Sequence, residues 1–169
     1  MSLSMYQATI PPYVKILTNL KAVLQKAAAH AQAKKIEEGA LLSARLYPDM
    51  FPLTRQIQIA TDIARGVSAR LAGLEPPSYE DNEKSFAELE VRIDRTLGYL
   101  REIIPQQMEG AERREITRPV RGQPHAFTGL NYLQQFGTPN VYFHAATAYD
   151  ILRHNGVELG KADFLGHLD

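Results

Sequence analysis

Apolar residues recur at intervals of three and four along four long stretches of the chain, the spacing that keeps one side of a helix dry. In the first stretch Tyr6, Ile10, Val14, Leu17, Leu20, Leu24 and Ala27 share a face, and Ser4-Met-Tyr-Gln7 opens it as a capping box. Pro11 and Pro12 fall inside this pattern; each removes a backbone donor, which predicts a kink or a restart. A solvated stretch rich in Ala and Lys then runs to Gly39. The second stripe is Leu53, Ile57, Ala60, Ala64, Val67 and Leu71, with Asp49 expected as its cap and Gly73 and Pro76-Pro77 as its stop. The third is the most regular: Ser85-Phe-Ala-Glu88 reads as a capping box, followed by Phe86, Leu89, Ile93, Leu97, Leu100 and Ile104 before Pro105 ends it. The fourth starts near Thr138-Pro139, with Thr as cap and Pro at the first helical position, and runs to Gly156. In the tail beyond, Phe164 and Leu165 are two apolar anchors expected to pack back onto the rest.

Between the third and fourth stripes the helical period is lost. The runs Glu115 to Val120 and His125 to Thr128 are compatible with strands and flank Gly122 and Pro124, which predicts a small hairpin or an irregular excursion. Four amphipathic segments with no larger sheet predict an all-α four-helix bundle, folded as a single domain over residues 1–169.

Composition narrows the function classes. With 19 basic and 19 acidic residues there is no net field to draw in a phosphate backbone, so nucleic acid is not an expected partner. The local basic group Arg113, Arg114, Arg118 and Arg121 is interrupted by Glu112 and Glu115 and reads as a solvated loop. Cysteine is absent, so disulfides, thiolate metal sites and a cysteine nucleophile are excluded. The start MSLSMYQATIPPY lacks the basic residues and apolar run of a signal peptide, and no segment approaches the ~20 apolar residues of a membrane span. The expectation is a cytoplasmic protein with no membrane association. A glycine-rich phosphate loop, HExxH and GxSxG are all missing.

Candidate chemistry centres on the last helix, where Val141, His144, Ala148, Ile151 and Asn155 fall on one face. An inward histidine is either a structural residue hydrogen-bonded to a neighbour or a metal ligand or acid–base group. Asn140 lies one turn before His144 on the same side, and Gln56 sits at the edge of the second stripe, where a buried amide needs partners. Together they outline a polar pocket; the alternative for Gln56 is a structural interhelical hydrogen bond. Tyr149 and Arg153, four apart beside Asp150, fit either an anion site or a surface salt bridge. His154 near the helix end suits capping, and His30, His125 and His167 fall in predicted termini or loops.

The run His144-Ala-Ala-Thr-Ala-Tyr-Asp-Ile-Leu-Arg153-His-Asn-Gly156 resembles the last-helix motif of the DinB/YfiT-like superfamily. The longer set Phe136-Gly-Thr-Pro139-Asn140, Phe143-His144, Thr147-Ala-Tyr149 and Gly160-Lys-Ala-Asp163-Phe-Leu-Gly166, with Asp49 to Gln58 and Arg70-Leu-Ala-Gly73, is similar to one domain-of-unknown-function branch of it. The resemblance implies a four-helix bundle in which several members hold a divalent metal, such as zinc or nickel, with three histidines. His144 matches the second histidine of the last-helix pair, Asn140 stands where the first would be, and the second helix has Gln56, Gln58 and Asp62 but no histidine. His144, with Asp62 or Asp49 if either carboxylate points inward, is therefore the remaining metal-ligand set the resemblance allows.

Three functions follow as expectations. The first is an uncharacterised DinB-like bundle with a small-molecule pocket around His144, Asn140 and Gln56, with Gln58 and Tyr149 as further lining candidates. The second is a divalent-metal-dependent transferase acting on a low-molecular-weight thiol, with His144 as the clear ligand. The third is a non-catalytic interaction protein; in any of these a homodimer is the expected assembly.

Overall fold

A computed structural model describes residues 3–120 and 122–167. Four long helices form the bundle: α1 (Met5–Lys34), α3 (Leu53–Leu71), α4 (Phe86–Glu102) and α6 (Thr138–His154). Short helices α2 (Glu38–Leu42), α5 (Gly129–Asn131) and α7 (Lys161–Leu165) lie between and after them. Packing runs in a closed ring, α1 on α4, α4 on α3, α3 on α6 and α6 on α1. The four stripes read from the sequence fill its middle, and Leu17, Leu24, Leu53, Ile57, Leu89, Ile93 and Ile151 are all fully buried.

Local signals set the ends of these helices unevenly. Ser4 caps α1 as a full capping box, its hydroxyl accepting from the Gln7 amide at 3.1 Å while the Gln7 side chain accepts from the Ser4 amide at 3.0 Å. The expected break at Pro11-Pro12 does not occur, and α1 runs through both. Prolines at these positions leave the Gln7 and Ala8 carbonyls without helical donors. The burial of Ile10 and Tyr13 on either side holds the turn in line. Asp49 does not cap α3: it is exposed, and Pro52 stands at the cap position. Tertiary bonds do that work, since the Leu53 amide donates to the Ala44 carbonyl at 2.9 Å and the Thr54 hydroxyl to the Leu42 carbonyl at 3.1 Å. Gly73, at φ +75°, ends α3 as its position suggested.

At the start of α4 the Ser85 hydroxyl accepts from the Glu88 amide at 3.2 Å, but the Glu88 carboxylate takes the Lys84 amide instead of closing a box on Ser85. At its end the chain leaves the helix after Glu102. The stripe is completed by Ile103, which is buried, and not by Ile104, which Pro105 holds in extended backbone and which is exposed.

The hairpin forms where the strand-compatible runs lie. β1 (Glu115–Val120) pairs antiparallel with β2 (Gln123–Thr128), placing Ile116 opposite Phe127 and Arg118 opposite His125. Aromatic packing pins it down: Phe127 lies 5.6 Å from Tyr132, Tyr132 stacks on Phe136 at 5.5 Å, and the Arg118 guanidinium sits 4.3 Å from the Phe136 ring centre.

The last helix has no side-chain cap at Thr138, contrary to expectation. A π-helical turn (Tyr132–Gly137) feeds it directly from α5, so no fresh start is needed. Gly137 permits this, because a Cβ there would lie 2.8 Å from the Tyr13 hydroxyl and 2.9 Å from a Val67 methyl. Asn155 ends up exposed, its amide donating to the Ile151 carbonyl. In the tail Phe164 packs edge-on against Tyr149, while Leu165 remains exposed. Asn19, Lys26 and Lys15 of α1 hold the tail through the Phe164 carbonyl, the Asp163 carboxylate and the His167 carbonyl.

The core also contains a guanidinium that periodicity did not single out. Arg92 of α4 is 2% exposed. Its Nε donates to Thr61 at 2.9 Å, and its two terminal nitrogens reach Asp62 at 2.7 Å, Glu83 at 2.8 Å, Asp81 at 3.0 Å and the Glu80 carbonyl at 2.9 Å. Asp62 also accepts from Arg65 at 2.9 Å. The Tyr79 ring lies between Arg65 and Arg95, whose guanidinium carbons are 3.7 and 4.0 Å from its centre. Burial pushes the Glu83 pKa up, but hydrogen bonds from Arg92 and Gln58 outweigh this and leave it below the usual carboxylate value.

Arg92→Met should lower stability by about 3 kcal/mol near neutral pH, because it leaves the largely buried Glu83 carboxylate without its cation and takes one of two arginine partners from each of Asp62 and Asp81. Glu83 ionises more readily in the folded state than in the unfolded one. Its contribution is therefore complete above the ordinary carboxylate pKa and lost as pH falls through the lowered value. Urea melts at pH 7 and at pH 4 should show the gap between wild type and variant narrowing at the lower pH.

Candidate functional site

Helices α3 and α6 pack along their length, and this brings Gln56 to His144. Both are buried, at 1% and 9% exposure. The Gln56 amide donates from Nε2 to the Phe51 carbonyl at 2.9 Å, which turns Oε1 toward the imidazole. That oxygen lies 2.6 Å from His144 Nδ1. A carbonyl oxygen only accepts, so Nδ1 carries the proton and donates, and the free lone pair is on Nε2. Among the described residues Nε2 has no hydrogen-bond partner.

The charge state follows from the surroundings. Burial pushes the His144 pKa down, and the positive charge of Arg55 pushes it down further. The ring is therefore neutral at pH 7. Phe143 stands edge-on to it at 5.2 Å, and Phe51 contributes its carbonyl to the Gln56 relay. Both phenyl rings are more than half exposed, at 56% and 54%. The arrangement is a neutral, nearly buried base of fixed tautomer, with the Phe143 ring edge-on to it and the Arg55 charge close enough to act on it.

The other candidate residues have separate attachments. The Asn140 side-chain amide donates to the Phe136 carbonyl at 2.6 Å, satisfying an acceptor of the π-helical turn. Gln58 is buried and faces the loop before α4, donating to Glu83 at 2.8 Å and accepting from Arg55 at 3.3 Å. Tyr149 packs against Phe164 of the tail, five residues beyond His144 and on another side of α6. Asp62 is taken up by Arg65 and Arg92, and Asp49 is exposed in the loop ahead of α3. Arg153 and His154 are exposed near the end of α6.

These attachments bear on the metal that the family resemblance implies. Among the described residues no three of His, Cys, Asp and Glu come together as a ligand set. The oxygen hydrogen-bonded to His144 is the Gln56 amide, already used as an acceptor on the Nδ1 side. The donors present do not fit a three-ligand divalent centre.

Two clefts form elsewhere. One of about 810 Å³ lies over α4 and is lined by Tyr79, Glu83, Lys84, Val91, Arg92 and Arg95. A second, of about 570 Å³, is mainly apolar, with Met5, Ala8, Leu130, Leu133, Pro139 and Tyr142 among its walls. Sequence reasoning missed Arg55, Phe51 and Phe143 at the site around His144. Their signal was available in part, since Arg55 adjoins Gln56 and Phe143 adjoins His144 in the chain.

The fixed tautomer can be checked by NMR on protein labelled with ¹⁵N-histidine. His144 should titrate below an ordinary histidine and show the Nδ1-protonated pattern at pH 7. Gln56→Glu places a carboxylate on Nδ1–H and should raise its pKa above the wild-type value.

Among the described residues, no helix is long and apolar enough to cross a membrane. No curated protein matches the chain. A crystal structure of a DinB family member protein from Shewanella denitrificans is 42% identical, covering 97% of this chain and 93% of its own, with a TM-score of 0.92. The model of the domain of unknown function DUF1993 matches residues 5–165. With that match spanning nearly its whole length, the chain belongs to the DUF1993 family and is a DinB-like helical-bundle protein.

Proposed function

We propose that this DinB-like protein binds a small molecule at His144, with the imidazole itself making the polar contact. The relay from the Phe51 carbonyl through Gln56 to His144 Nδ1 carries the reading. Two hydrogen bonds in series hold one ring in one tautomer and, among the described residues, leave its basic nitrogen without a partner. A purely structural histidine would be expected to use both nitrogens within the fold.

The chemistry this supports is acceptance of a proton or hydrogen bond from a hydroxyl, thiol or amine. The ligand's apolar body would lie against Phe51 and Phe143. Gln56 is then a positioning residue: it touches the imidazole, not the ligand. A neutral imidazole of lowered pKa is available as an acceptor at pH 7.

Phenol supplies the test, because it offers one acidic hydroxyl on a flat apolar body. Added at millimolar concentration, it should shift the His144 Nε2 resonance in a saturable way and leave the other histidines unmoved. His144→Ala, followed through the proton signals of phenol because the variant lacks the reporting imidazole, should weaken binding at least about tenfold, the worth of one hydrogen bond to a buried acceptor. Binding should also fall as pH drops through the His144 pKa, since the protonated ring has no lone pair. An Nε2 resonance that stays fixed through the titration sinks the proposal.

A further inference from the structure

We infer that the molecule bound at His144 carries an acidic group and that Arg55 is the residue that recognises it; this rests on the His144 reading above. Arg55 follows directly on α3 from the loop that carries Phe51, and its guanidinium carbon lies 5.9 Å from the centre of the Phe51 ring. The same Phe51 holds Gln56 through its carbonyl, and Gln56 holds His144. One aromatic residue therefore joins the cation and the imidazole into a single locality.

The guanidinium is oriented but not used up. Only Nη1 is engaged, by the Asp81 carboxylate and by the Gln58 side-chain oxygen at 3.3 Å. Among the described residues, Nε and Nη2 have no hydrogen-bond partner. Those two nitrogens form the side edge of an arginine, where a carboxylate is gripped by two parallel N–H donors. Gln58 is itself fixed by Glu83, and Glu83 by Arg92, so the edge is held from the core outward.

A cation with an open fork, a neutral base with an open lone pair and two exposed phenyl rings suit a compact aromatic or apolar acid that also bears a hydroxyl or thiol. Arg55 would fix the acid, and His144 Nε2 would accept from the second group. The proximity of the positive charge also lowers the His144 pKa, which keeps the base neutral while an anion is brought beside it.

A matched pair of probes isolates the acidic group. 4-Hydroxybenzoate and p-cresol share the ring and hydroxyl, and only the first has a carboxylate. Followed through the His144 Nε2 resonance, 4-hydroxybenzoate should bind wild-type protein at least about tenfold more tightly, as a charge-assisted two-pronged contact implies. In Arg55→Gln the two should come within about twofold, with p-cresol little changed. Arg55→Lys keeps the charge without the fork and should retain only part of the preference, so it tests the idea even if one substitution perturbs folding. Equal binding of both probes by wild type, or a preference that survives in Arg55→Gln, overturns the assignment of Arg55 and leaves the His144 site intact. Failure of both probes to move the His144 resonance overturns the site and the assignment together.

Discussion

The charge of Arg92 is the constraint around which much of this bundle is arranged. A guanidinium stays charged at any accessible pH, so placing one among Leu89, Ile93 and Thr61 obliges the fold to bring carboxylates to it. Asp62 comes from the neighbouring helix, while Asp81, Glu83 and the Glu80 carbonyl come from the loop ahead of α4. That loop has no regular secondary structure of its own, and these bonds tie it down. The ordering then passes outward: Glu83 holds Gln58, Asp81 holds Arg55, and Arg55 sits beside the Phe51, Gln56 and His144 relay. A packing problem in the core thus becomes a source of rigidity at the surface site.

Apolar period made the bundle legible, because a stripe of seven residues at helical spacing has few other uses. The hairpin was legible for a related reason: β-compatible runs flanked Gly122 in a stretch with no helical alternative. Helix boundaries were less so. Asp49 had the right chemistry for a cap, but Ala44 and Leu42 supply carbonyls to the start of α3 through contacts that no local pattern records. Thr138 and Ile104 misled for other reasons, one because a π-helical turn replaced a fresh start and the other because Pro105 forced extended backbone on its neighbour.

At the site, inward placement of His144 and Gln56 followed from the spacing, whereas the direction of the amide did not. It depends on the Phe51 carbonyl, which belongs to a loop. Arg92 was overlooked because a charged residue beside an apolar stripe reads as its solvated edge. The correction lay in the pattern, since Leu89, Arg92 and Thr96 are themselves three and four apart and all buried. Asp62, drawn toward that arginine and its neighbour Arg65, is for the same reason unavailable to His144.

The π-helical turn at Tyr132–Gly137 sets a phase relation along the last helical segment. Such a turn holds one more residue than the α-helical turn it replaces, so side chains on its two sides are out of step by about 100° compared with a continuous α-helix. The hairpin-facing Tyr132 opens the turn and the site-facing His144 lies beyond it, so the offset falls between the two. Loss of a single residue from this turn would regularise the helix while swinging the hairpin contacts and the site out of register. Length in this segment therefore matters more to the geometry than the identity of its exposed residues, Gln134 and Gln135.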